Sequence, residues 1–347
     1  MAQDEKKRIL VTGGAGYVGS ALVPALLARG YAVRVVDALI FGASPLAPVS
    51  NRIELIKGDM RDIGDSLFDG IFAVIHLAGF STEPTAQYDP RLTDMLNHIV
   101  AERLASTAKK KGVERFLYAS TCSVYFTFHT PLEPPLYKET EEVNPISAYS
   151  LTKRCGEQAL LGLVDSSFHP IILRKGTLYG SSPRMRYDLV LNSFAKDAFY
   201  KKCLTIDAGG EIWRPMIDIA DVVNIYIKAL ELPAEKIGGK IFNIADQNWN
   251  IGELARFVRD TLKKEKGIDI SLDVKSYGIA RNYKVDTSLF KETFGFHPSR
   301  TMREALFEMW SRFEHEKDHN PHNDIYYGDK WYKKFFETEE GKKFREI

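Results

Sequence analysis

Cysteine is scarce in this 347-residue chain, which contains only Cys122, Cys155 and Cys203. No two of them form a C-x-x-C pair, and an odd number cannot form a complete disulfide framework. Free thiols are typical of proteins in a reducing compartment. We therefore expect neither structural disulfides nor a metal site.

Long apolar runs and an excess of charge of one sign are also absent. No stretch of about 18 apolar residues, the length that could cross a membrane, occurs. The N-terminal segment MAQDEKKRIL carries charges where a secretory signal needs an apolar core. Lys and Arg number 47 and Asp and Glu number 46, so no net field steers the protein to nucleic acid or to an acidic membrane. We expect a cytoplasmic protein with neither of these partners.

The chain does contain a regular alternation of two hydrophobic patterns. Its composition is 44% hydrophobic, which is enough for one large domain or two coupled ones. Short apolar runs predict strands, and segments of helical period between them predict helices. Strands alternating with helices imply right-handed βαβ units, and hence an α/β fold with a doubly wound parallel sheet of Rossmann type. The predicted strands are 8–12, 32–37, 52–59, 73–79, 115–120 and 170–174, and the predicted helices are 17–29, 90–111 and 145–164.

The segment VTGGAGYVGS follows the first predicted strand and opens the first predicted helix. From Gly13 onward it has the register G-x-x-G-x-x-G, in which glycines allow a tight turn and a close approach of the backbone to a pyrophosphate. The N-terminus of the following helix offers free N–H groups and a partial positive charge to phosphates. We therefore predict a dinucleotide site that includes Gly13, Gly16, Tyr17 and Val18.

An acidic residue follows this loop at the expected distance. Asp37 ends the second predicted strand, 18 residues after Gly19. A carboxylate at that place can accept hydrogen bonds from ribose hydroxyls and would repel a 2′-phosphate. No Lys or Arg follows it closely. The sequence therefore favours NAD over NADP as the cofactor.

The pattern becomes less regular after about residue 176. A helix at 220–232, a strand at 240–245 and a helix at 251–264 are the clear elements there. We predict that residues 1–176 form the NAD-binding domain and that residues 215–245 return to it. Residues 177–214 and 246–347 would form a smaller C-terminal substrate lobe and tail.

A tyrosine and a lysine stand four residues apart in AYSLTK, within a predicted helix. That spacing places Tyr149 and Lys153 on one face of the helix. A tyrosine with a pKa near 10 is a poor base, but a neighbouring ammonium and a positive nicotinamide ring would favour its phenolate. The spacing alone is unspecific; its position after the fifth strand of a nucleotide-binding sheet is what suggests a catalytic pair.

The order and spacing of several segments resemble the extended short-chain dehydrogenase/reductases, and among them the nucleotide-sugar epimerases and dehydratases. The resemblance runs from the glycine loop to about residue 305. The segments that carry it are VTGGAGYVGS, KGDMRD, HLAG, Asn97, YASTCSVY, YSLTK, WRPMIDIADV and FNIADQNWNIGELA.

The resemblance implies roles for individual residues of the cofactor and catalytic sites. Tyr149 is implied to be the acid/base, and Lys153 to orient it and to hold the nicotinamide ribose. Thr121 takes the Ser/Thr position beside the reacting hydroxyl. The remaining implied cofactor contacts are Asp59, at the acid that contacts adenine, and Met60, Leu77 and Ala78.

A nucleotide-diphosphate sugar is the substrate that the resemblance implies. Arg214 matches the arginine that binds the diphosphate, and Arg281 is similar to a second one. Arginine suits this task because its planar fork binds two oxygens at once. Thr177 takes the place of an asparagine in the substrate loop, and Asn192 is expected near the nucleotide. Pairing of the helices at 90–111 and 149–164 in such proteins makes a homodimer the expected assembly.

Departures from the family pattern narrow the range of reactions that the sequence favours. In the pattern of the dehydratases that act across carbons 4 to 6, two acidic residues follow the catalytic threonine. This chain resembles that pattern but has Cys122 and Ser123 at those two positions. Phe126 replaces a glycine after the same segment, and with Phe128 and His129 it is expected to reshape the sugar pocket. His76 is expected to pack beside the cofactor rather than to act as a base.

These observations favour an NAD-dependent nucleotide-sugar epimerase that acts at carbon 4 through a transient 4-keto sugar. Three alternatives stay open at this point. The chain could be a net 4-dehydrogenase or 4-keto reductase on the same substrates, or a family enzyme that acts on a non-nucleotide substrate. It could also be an NAD-binding sensor without turnover, although it retains the Tyr149–Lys153 pair.

Overall fold

The computed structural model describes residues 6–126, 131–276, 281–316 and 320–346. The strands are β1 Arg8–Thr12, β2 Ala32–Asp37, β3 Glu54–Lys57, β4 Ile71–His76, β5 Arg115–Thr121, β6 Leu136–Tyr137, β7 His169–Lys175, β8 Thr177–Tyr179, β9 Cys203–Ile206, β10 Trp213–Asp218, β11 Ile241–Ile244, β12 Gln247–Asn250, β13 Ser271–Val274 and β14 Lys284–Val285. The helices are α1 Tyr17–Ala28, α2 Glu83–Tyr88, α3 Pro90–Asp94, α4 Val100–Lys110, α5 Ala148–Leu161, α6 Val190–Lys201, α7 Ile219–Glu231, α8 Ala234–Ile237, α9 Ile251–Lys266, α10 Ser288–Phe294, α11 Met302–His315, α12 Gly328–Glu337 and α13 Glu339–Arg345.

Within the described residues, seven parallel strands form the central sheet in the order β11-β7-β5-β4-β1-β2-β3. Its strands read as continuous apolar runs because helices cover both faces, and Ile9, Leu10 and Val11 of β1 are all fully buried. The direction of winding reverses between β1 and β4, and ligands of such sheets bind in the crevice at the carboxyl ends of those strands. The predicted Rossmann-type α/β fold is confirmed.

The rest of the described chain forms smaller elements against this sheet. Strands β8, β10 and β12 form one small sheet, while β9 pairs with β13 and β6 with β14. Strand β11 returns to the central sheet beside β7, and α7 packs against α1. These contacts agree with a return of residues 215–245 to the cofactor half, although β10 lies in the small sheet. The division of the chain into two functional units remains our proposal.

Several predicted elements have different bounds in the structure, and three of them illustrate the differences. Strand β3 is four residues long instead of the predicted eight. The predicted helix at 90–111 is interrupted by a π-helical turn, Met95–Ile99, between α3 and α4. Helix α5 begins at Ala148 because the Ser147 hydroxyl accepts the N–H of Ser150 at 3.2 Å and caps the helix there.

Two further points concern what lies outside these elements. Phe128 and His129, which we expected in the sugar pocket, lie outside the described residues. Among the described residues, no helix combines the length and the apolar character needed to cross a membrane.

Candidate active site

A cavity of about 620 Å³ lies at the carboxyl ends of β1, β2, β4, β5 and β7, between the sheet and the smaller elements. It brings together segments that are far apart in the chain. The predicted site residues that line it are Gly13, Gly16, Tyr17, Val18, Asp37, Asp59, Met60, Leu77, Ala78, Thr121, Tyr149, Thr177, Arg214 and Arg281. Lys153 and Asn192 do not belong to its wall.

The glycine loop leaves room where a phosphate-bearing ligand needs it. Gly13 has a φ of +72°, and a Cβ on it would lie 2.7 Å from the backbone nitrogen of Ala78. A Cβ on Gly19 would lie 2.5 Å from the carbonyl oxygen of Gly13. Gly16 is the N-cap of α1 and provides no side-chain cap, so the first N–H groups of the helix remain available. This cradle fits the pyrophosphate of a dinucleotide.

Asp37 is buried at the end of β2 and is held by the backbone. Its Oδ2 accepts the N–H of Ala15 at 2.9 Å, and its Oδ1 accepts the N–H of Leu39 at 2.7 Å. Burial raises the pKa of this carboxyl, and the two N–H groups oppose that rise. Each carboxylate oxygen can still accept a further hydrogen bond, so the arrangement fits a ribose diol.

Asp59 and Met60 form the outer end of the same wall. The Arg61 guanidinium holds the Asp59 carboxylate through Nε at 3.0 Å and Nη2 at 2.7 Å. Met60 is buried, and its carbonyl oxygen accepts a hydrogen bond from Arg103. The carboxylate of Asp59 is therefore neutralised within the protein and presents an oriented acceptor rather than a free charge.

Tyr149 at the start of α5 and Thr121 at the end of β5 both line the cavity. Burial raises the pKa of Tyr149, while the Thr121 hydrogen bond and the charge of Arg281 lower it. The phenol is therefore protonated at neutral pH in the absence of cofactor. Among the groups that lower this pKa, Thr121 and Arg281 are the largest, and the effect of a nicotinamide ring on it stays a prediction.

Lys153 lies behind Tyr149 in a buried polar cluster. Its Nζ stands 4.9 Å above the Tyr118 ring. Burial first, and the charge of Lys175 second, lower the pKa of Lys153 to about 7. A Cβ placed on Gly79 would lie 3.8 Å from this Nζ and 2.2 Å from Oδ1 of Asn97, so only a glycine allows the two polar groups to meet there.

Asn97 sits in the π-helical turn and supplies the other half of that cluster. Its Nδ2 donates to the Phe80 carbonyl at 3.1 Å, and its Oδ1 is buried without a partner among the described residues. An unpaired buried acceptor costs free energy unless water or a ligand satisfies it. The π turn and this acceptor are therefore features of the site rather than of the helix.

A buried ion pair fixes α5 against the sheet. Arg174 of β7 binds Glu157 of α5 through Nε at 2.9 Å and Nη2 at 2.7 Å. The Ser120 hydroxyl donates to the same carboxylate, and Arg174 also donates to the Tyr125 hydroxyl at 2.7 Å. Because both charges are almost fully buried and mutually satisfied, the pair positions the helix that carries Tyr149.

Arg214 of β10 is a buried cation on the opposite wall. Within the described part of the chain its guanidinium pairs with no carboxylate; Nη1 donates to the Trp213 carbonyl at 2.9 Å, and the Tyr283 ring lies 5.3 Å away. Burial lowers the pKa of Arg214 to about 10. With Arg281, which also lines the cavity, it gives this side a positive charge that suits a diphosphate.

The structure corrects the prediction for Asn192. Its Oδ1 accepts the N–H of Gly180 at 2.9 Å, and its Nδ2 donates to the Tyr17 hydroxyl at 3.2 Å and to the Arg186 carbonyl at 2.9 Å. These bonds hold a fully buried side chain away from the cavity. Successive residues of a helix point about 100° apart, and it is Ser193 that lines the cavity.

Cys122 and Ser123 occupy the two positions at which the dehydratase pattern has acidic residues. The Cys122 thiol donates to the Arg174 carbonyl at 3.0 Å, and burial raises its pKa. The Ser123 hydroxyl pairs with the Tyr283 hydroxyl at 3.0 Å. Neither side chain can act as an acid/base at neutral pH.

His76 lies in the core and not in the cavity wall, contrary to our expectation that it packs beside the cofactor. Its Nδ1 is 2.7 Å from the Thr12 hydroxyl oxygen, and its ring stacks on Tyr118. Burial lowers its pKa to about 3, so the ring is neutral. It supports β1 and β4 and does not titrate near pH 7.

Sequence reasoning missed several residues of the cavity wall. Lys175 ends β7 and faces the cavity. Arg186 pairs with Asp188 at 2.9 Å, and its charge acts on Tyr149. The dense charges of PRMRYD at 183–188, within a turn-rich stretch, were the signal that could have revealed Arg184 and Arg186. Tyr332 and Phe344 carried no such signal, because they lie in a tail without a motif.

Comparisons with known proteins point to one family. The model of the NAD dependent epimerase/dehydratase family matches residues 9–245. UDP-arabinose 4-epimerase 1 of Arabidopsis thaliana is 27% identical over 341 residues, which cover 87% of this chain and 78% of that protein. UDP-glucuronic acid decarboxylase 1 of Xenopus tropicalis is 26% identical, covering 93% and 76% respectively. The crystal structure of UDP-glucuronic acid 4-epimerase from Bacillus cereus, in complex with UDP-glucuronic acid and NAD, shares the fold with a TM-score of 0.75, at 24% identity over 88% of this chain and 99% of that one.

Proposed function

This chain belongs to the NAD dependent epimerase/dehydratase family, and from that premise we propose that it is a nucleotide-sugar epimerase acting at carbon 4. It is an enzyme of the extended short-chain dehydrogenase/reductase type, and NAD is its cofactor. Relatives of this chain include both 4-epimerases and decarboxylases. The choice between these reactions therefore depends on the residues of this cavity.

The observation that carries the proposal is the placement of Tyr149 and Thr121 together in the cavity wall, beside two positions that lack an acid. Epimerisation through a ketone needs one proton and one hydride to leave the sugar and to return. Elimination of water needs a further acid/base, and Cys122 and Ser123 cannot supply one. Tyr149 alone suffices for the proton of an epimerisation.

Substrate binding is assigned to the wall opposite Tyr149. Arg214 and Arg281 would bind the diphosphate, since buried guanidinium groups form strong charge-assisted hydrogen bonds to phosphate oxygens. Thr177 and Ser193 line the cavity between that wall and the cofactor half. The sugar would then reach Tyr149 and Thr121 at the inner end of the cavity.

The chemistry follows from this placement. The glycine loop and Asp37 would hold NAD, which would supply the acceptor and donor of a hydride for the sugar. Tyr149 removes the hydroxyl proton as its phenolate and gives it back, while Thr121 shares the hydrogen bond to the reacting oxygen. Lys153 and Asn97 form the buried polar cluster behind the phenol and would orient it. The enclosed cavity holds the reacting groups in near-attack geometry and limits the access of water.

A specific observation favours an acidic sugar over a neutral one. Lys175 lines the cavity with no carboxylate partner among the described residues. Burial first, and the charge of Arg186 second, lower the pKa of Lys175 to about 8. A sugar carboxylate would satisfy this ammonium, and we propose a uronate as the second candidate within the substrate class.

The test is a product analysis by NMR. The purified protein is incubated with NAD and a panel of UDP-, GDP-, CDP- and dTDP-sugars, including UDP-glucuronate, while absorbance at 340 nm is followed in the same tubes. An isomeric sugar without net NADH is the expected result. A keto sugar with matching NADH would instead establish a dehydrogenase, and a pentose with released CO₂ would establish a decarboxylase.

We also propose that two copies pair through α4 and α5. Ile99, just before α4, and Leu151 of α5 are 42% and 49% exposed, although both are large and apolar. A helix pair of this kind would bury both side chains in a symmetric contact. Light scattering of the wild type and of Leu151→Asp tests the assembly, and a monomeric wild type would refute it.

A further inference from the structure

The C-terminal helices α12 and α13 lie along the cofactor side of the cavity, and the motifs do not explain them. The family match ends at residue 245, well before this segment. Nevertheless Gly328, Asp329, Tyr332 and Phe344 line the cavity together with the ends of β2 and β3. The tail is therefore part of the wall of the site and not an appendage.

Tyr332 of α12 lines the cavity and packs against aromatic residues of the cofactor half. Its ring packs edge-on against Phe41 at 5.3 Å and against Phe80 at 4.8 Å between centroids. Burial raises the pKa of its hydroxyl to about 12, with opposing effects from the charges of Arg184 and Asp37. Tyr332 and Asp37 line the same cavity, and Asp37 is the carboxylate expected to meet the ribose of a dinucleotide.

Phe344 forms a second contact of the tail, at the outer end of the cavity. The Arg61 guanidinium lies 4.9 Å from the Phe344 ring and also holds the Asp59 carboxylate. Arg61 donates as well to the carbonyl oxygens of Phe344 and Glu346. One arginine thus joins the tail to the acidic residue beside the cavity.

Further bonds tie the segment to the sheet side. The Trp331 indole donates to the Ile40 carbonyl at 2.6 Å. Lys57 pairs with Glu340 at 2.9 Å, and Arg345 pairs with Asp89 at 3.0 Å.

Other bonds tie it to the opposite side of the cavity. Lys196 of α6 donates to the Tyr327 hydroxyl at 2.7 Å, and the Gly328 N–H lies 3.4 Å from Oδ2 of Asp188. The tail therefore bridges the cofactor half and the substrate half.

From these contacts we propose that α12 and α13 form a wall of the NAD site, and that Tyr332 and Phe344 contact the adenosine half of the cofactor. Aromatic side chains bind the flat faces of nucleobases without requiring a particular base. The glycine loop holds the pyrophosphate and Asp37 meets the ribose, so the aromatic wall stands where adenosine would lie. This wall slows the release of NAD and keeps the cofactor bound between turnovers.

The test measures release of the reduced cofactor. The full-length protein is loaded with NADH, and its displacement by excess NAD is followed by NADH fluorescence in a stopped-flow instrument. Tyr332→Ala and Phe344→Ala should each release NADH about tenfold faster, which corresponds to ~1.4 kcal/mol. Tyr332→Phe separates the ring from the hydroxyl and should retain most of the slow release.

Lys333→Ala is the matched control, because Lys333 is an exposed neighbour in the same helix. Release at the wild-type rate from both aromatic variants would overturn the proposal. Slower release from them would also overturn it, since the tail would then obstruct the cofactor.

Hydrogen exchange of the unmodified protein gives a measurement that needs no variant. Addition of NAD should slow amide exchange in peptides from residues 328–345 as well as in the glycine loop. Protection of the loop at 13–19 with none in the tail would refute the contact. Neither readout depends on which sugar the enzyme converts.

Discussion

The cofactor side of the cavity is built mainly of backbone, whereas the substrate side is built mainly of charged side chains. Around Gly13 and Gly19, a single added Cβ would come within 2.7 Å of neighbouring atoms. Around Arg214 and Lys175, the walls present cations that have no carboxylate partner in the described part of the chain. Steric fit therefore selects the cofactor, and electrostatic attraction selects the substrate.

The two sides of the cavity should tolerate amino-acid substitutions differently. Backbone fit fails abruptly, because a buried atom either has room or does not. Charge attraction weakens gradually, because part of it survives when one of several cations is removed. Tyr149 lies where the two sides meet. We expect its substitution to lower kcat rather than to weaken binding of the cofactor.

Removal of the Tyr149 hydroxyl should have the largest effect. Tyr149→Phe should lower kcat by roughly 10² to 10⁴, the usual contribution of a general acid/base. NAD binding should be retained, because the ring still fills its place beside Thr121. Tyr226→Phe is the control, since Tyr226 is a fully buried tyrosine whose hydroxyl has no partner among the described residues. Turnover by Tyr149→Phe at the wild-type rate would remove the assignment.

Gly13→Ala tests the backbone side. The new Cβ would meet Ala78 and would also strain a backbone with a φ of +72°. We expect NAD affinity to fall by about a hundredfold, or ~2.7 kcal/mol, as measured by calorimetry. Gly112→Ala carries the same strain at a φ of +75° with no atom within 4 Å, so it isolates the clash from the strain. Equal NAD affinity in the two variants would contradict the steric argument.

Arg214→Met tests the side-chain wall. Loss of a charge-assisted hydrogen bond to phosphate, ~1.5–3 kcal/mol, should raise KM for the nucleotide sugar about 10- to 100-fold with little change in kcat. Arg214→Lys should recover only part of this, because an ammonium cannot bind two oxygens in one plane. Steady-state kinetics on the substrate found by NMR measure both values. A fall in kcat alone would place Arg214 elsewhere in the mechanism.

Lys175→Met should have a smaller and more selective effect. If the sugar carries a carboxylate, the ratio of kcat/KM for a uronate to that for the neutral sugar should fall about tenfold, or ~1.4 kcal/mol. Loss of a buried cation should leave the neutral sugar nearly unaffected. An unchanged ratio would exclude Lys175 as a specificity residue. It would then favour a neutral nucleotide sugar as the substrate.

The smallest effect concerns the stability of the cofactor-free protein. Burial lowers the pKa of Lys153 to about 7 from 10.5, so between those pH values the unfolded chain binds more protons than the folded one. Stability attributable to Lys153 therefore rises as pH increases from about 7 towards 10 and is lowest below 7. The difference in Tm between wild type and Lys153→Met should shift in favour of the wild type over that range. A constant difference would show that Lys153 is not a buried cation.

Local sequence predicted much of the cofactor half. The bounds of β1 and β2 agree with the predicted strands, and the glycine loop and Asp37 meet at the crevice where their spacing placed them. These features depend on contacts within about 30 residues, and short-range periodicity carries that information. The π-helical turn at Met95–Ile99 was missed because the helical period of the sequence runs through it without interruption.

The substrate half was less predictable for a physical reason. Asn192 and Ser193 are adjacent in sequence, but the rotation of α6 alone decides that the serine faces the cavity. Lys175 and Arg186 belong to two other segments of the chain than Tyr149. No local sequence pattern predicts that the fold brings these residues together.

By itself, the sequence determined the Rossmann-type sheet, the glycine loop at its first turn and the placement of Tyr149 and Lys153 on one helix, since these depend on residue type and short spacing. Only the tertiary structure decided which side chains face the cavity and where the tail lies. Tyr332 meets Phe41 across nearly 300 residues, and Arg61 reaches the carbonyl of Phe344. Contacts between residues so far apart in sequence arise from the packing of the whole chain. They produce no periodic pattern along the sequence.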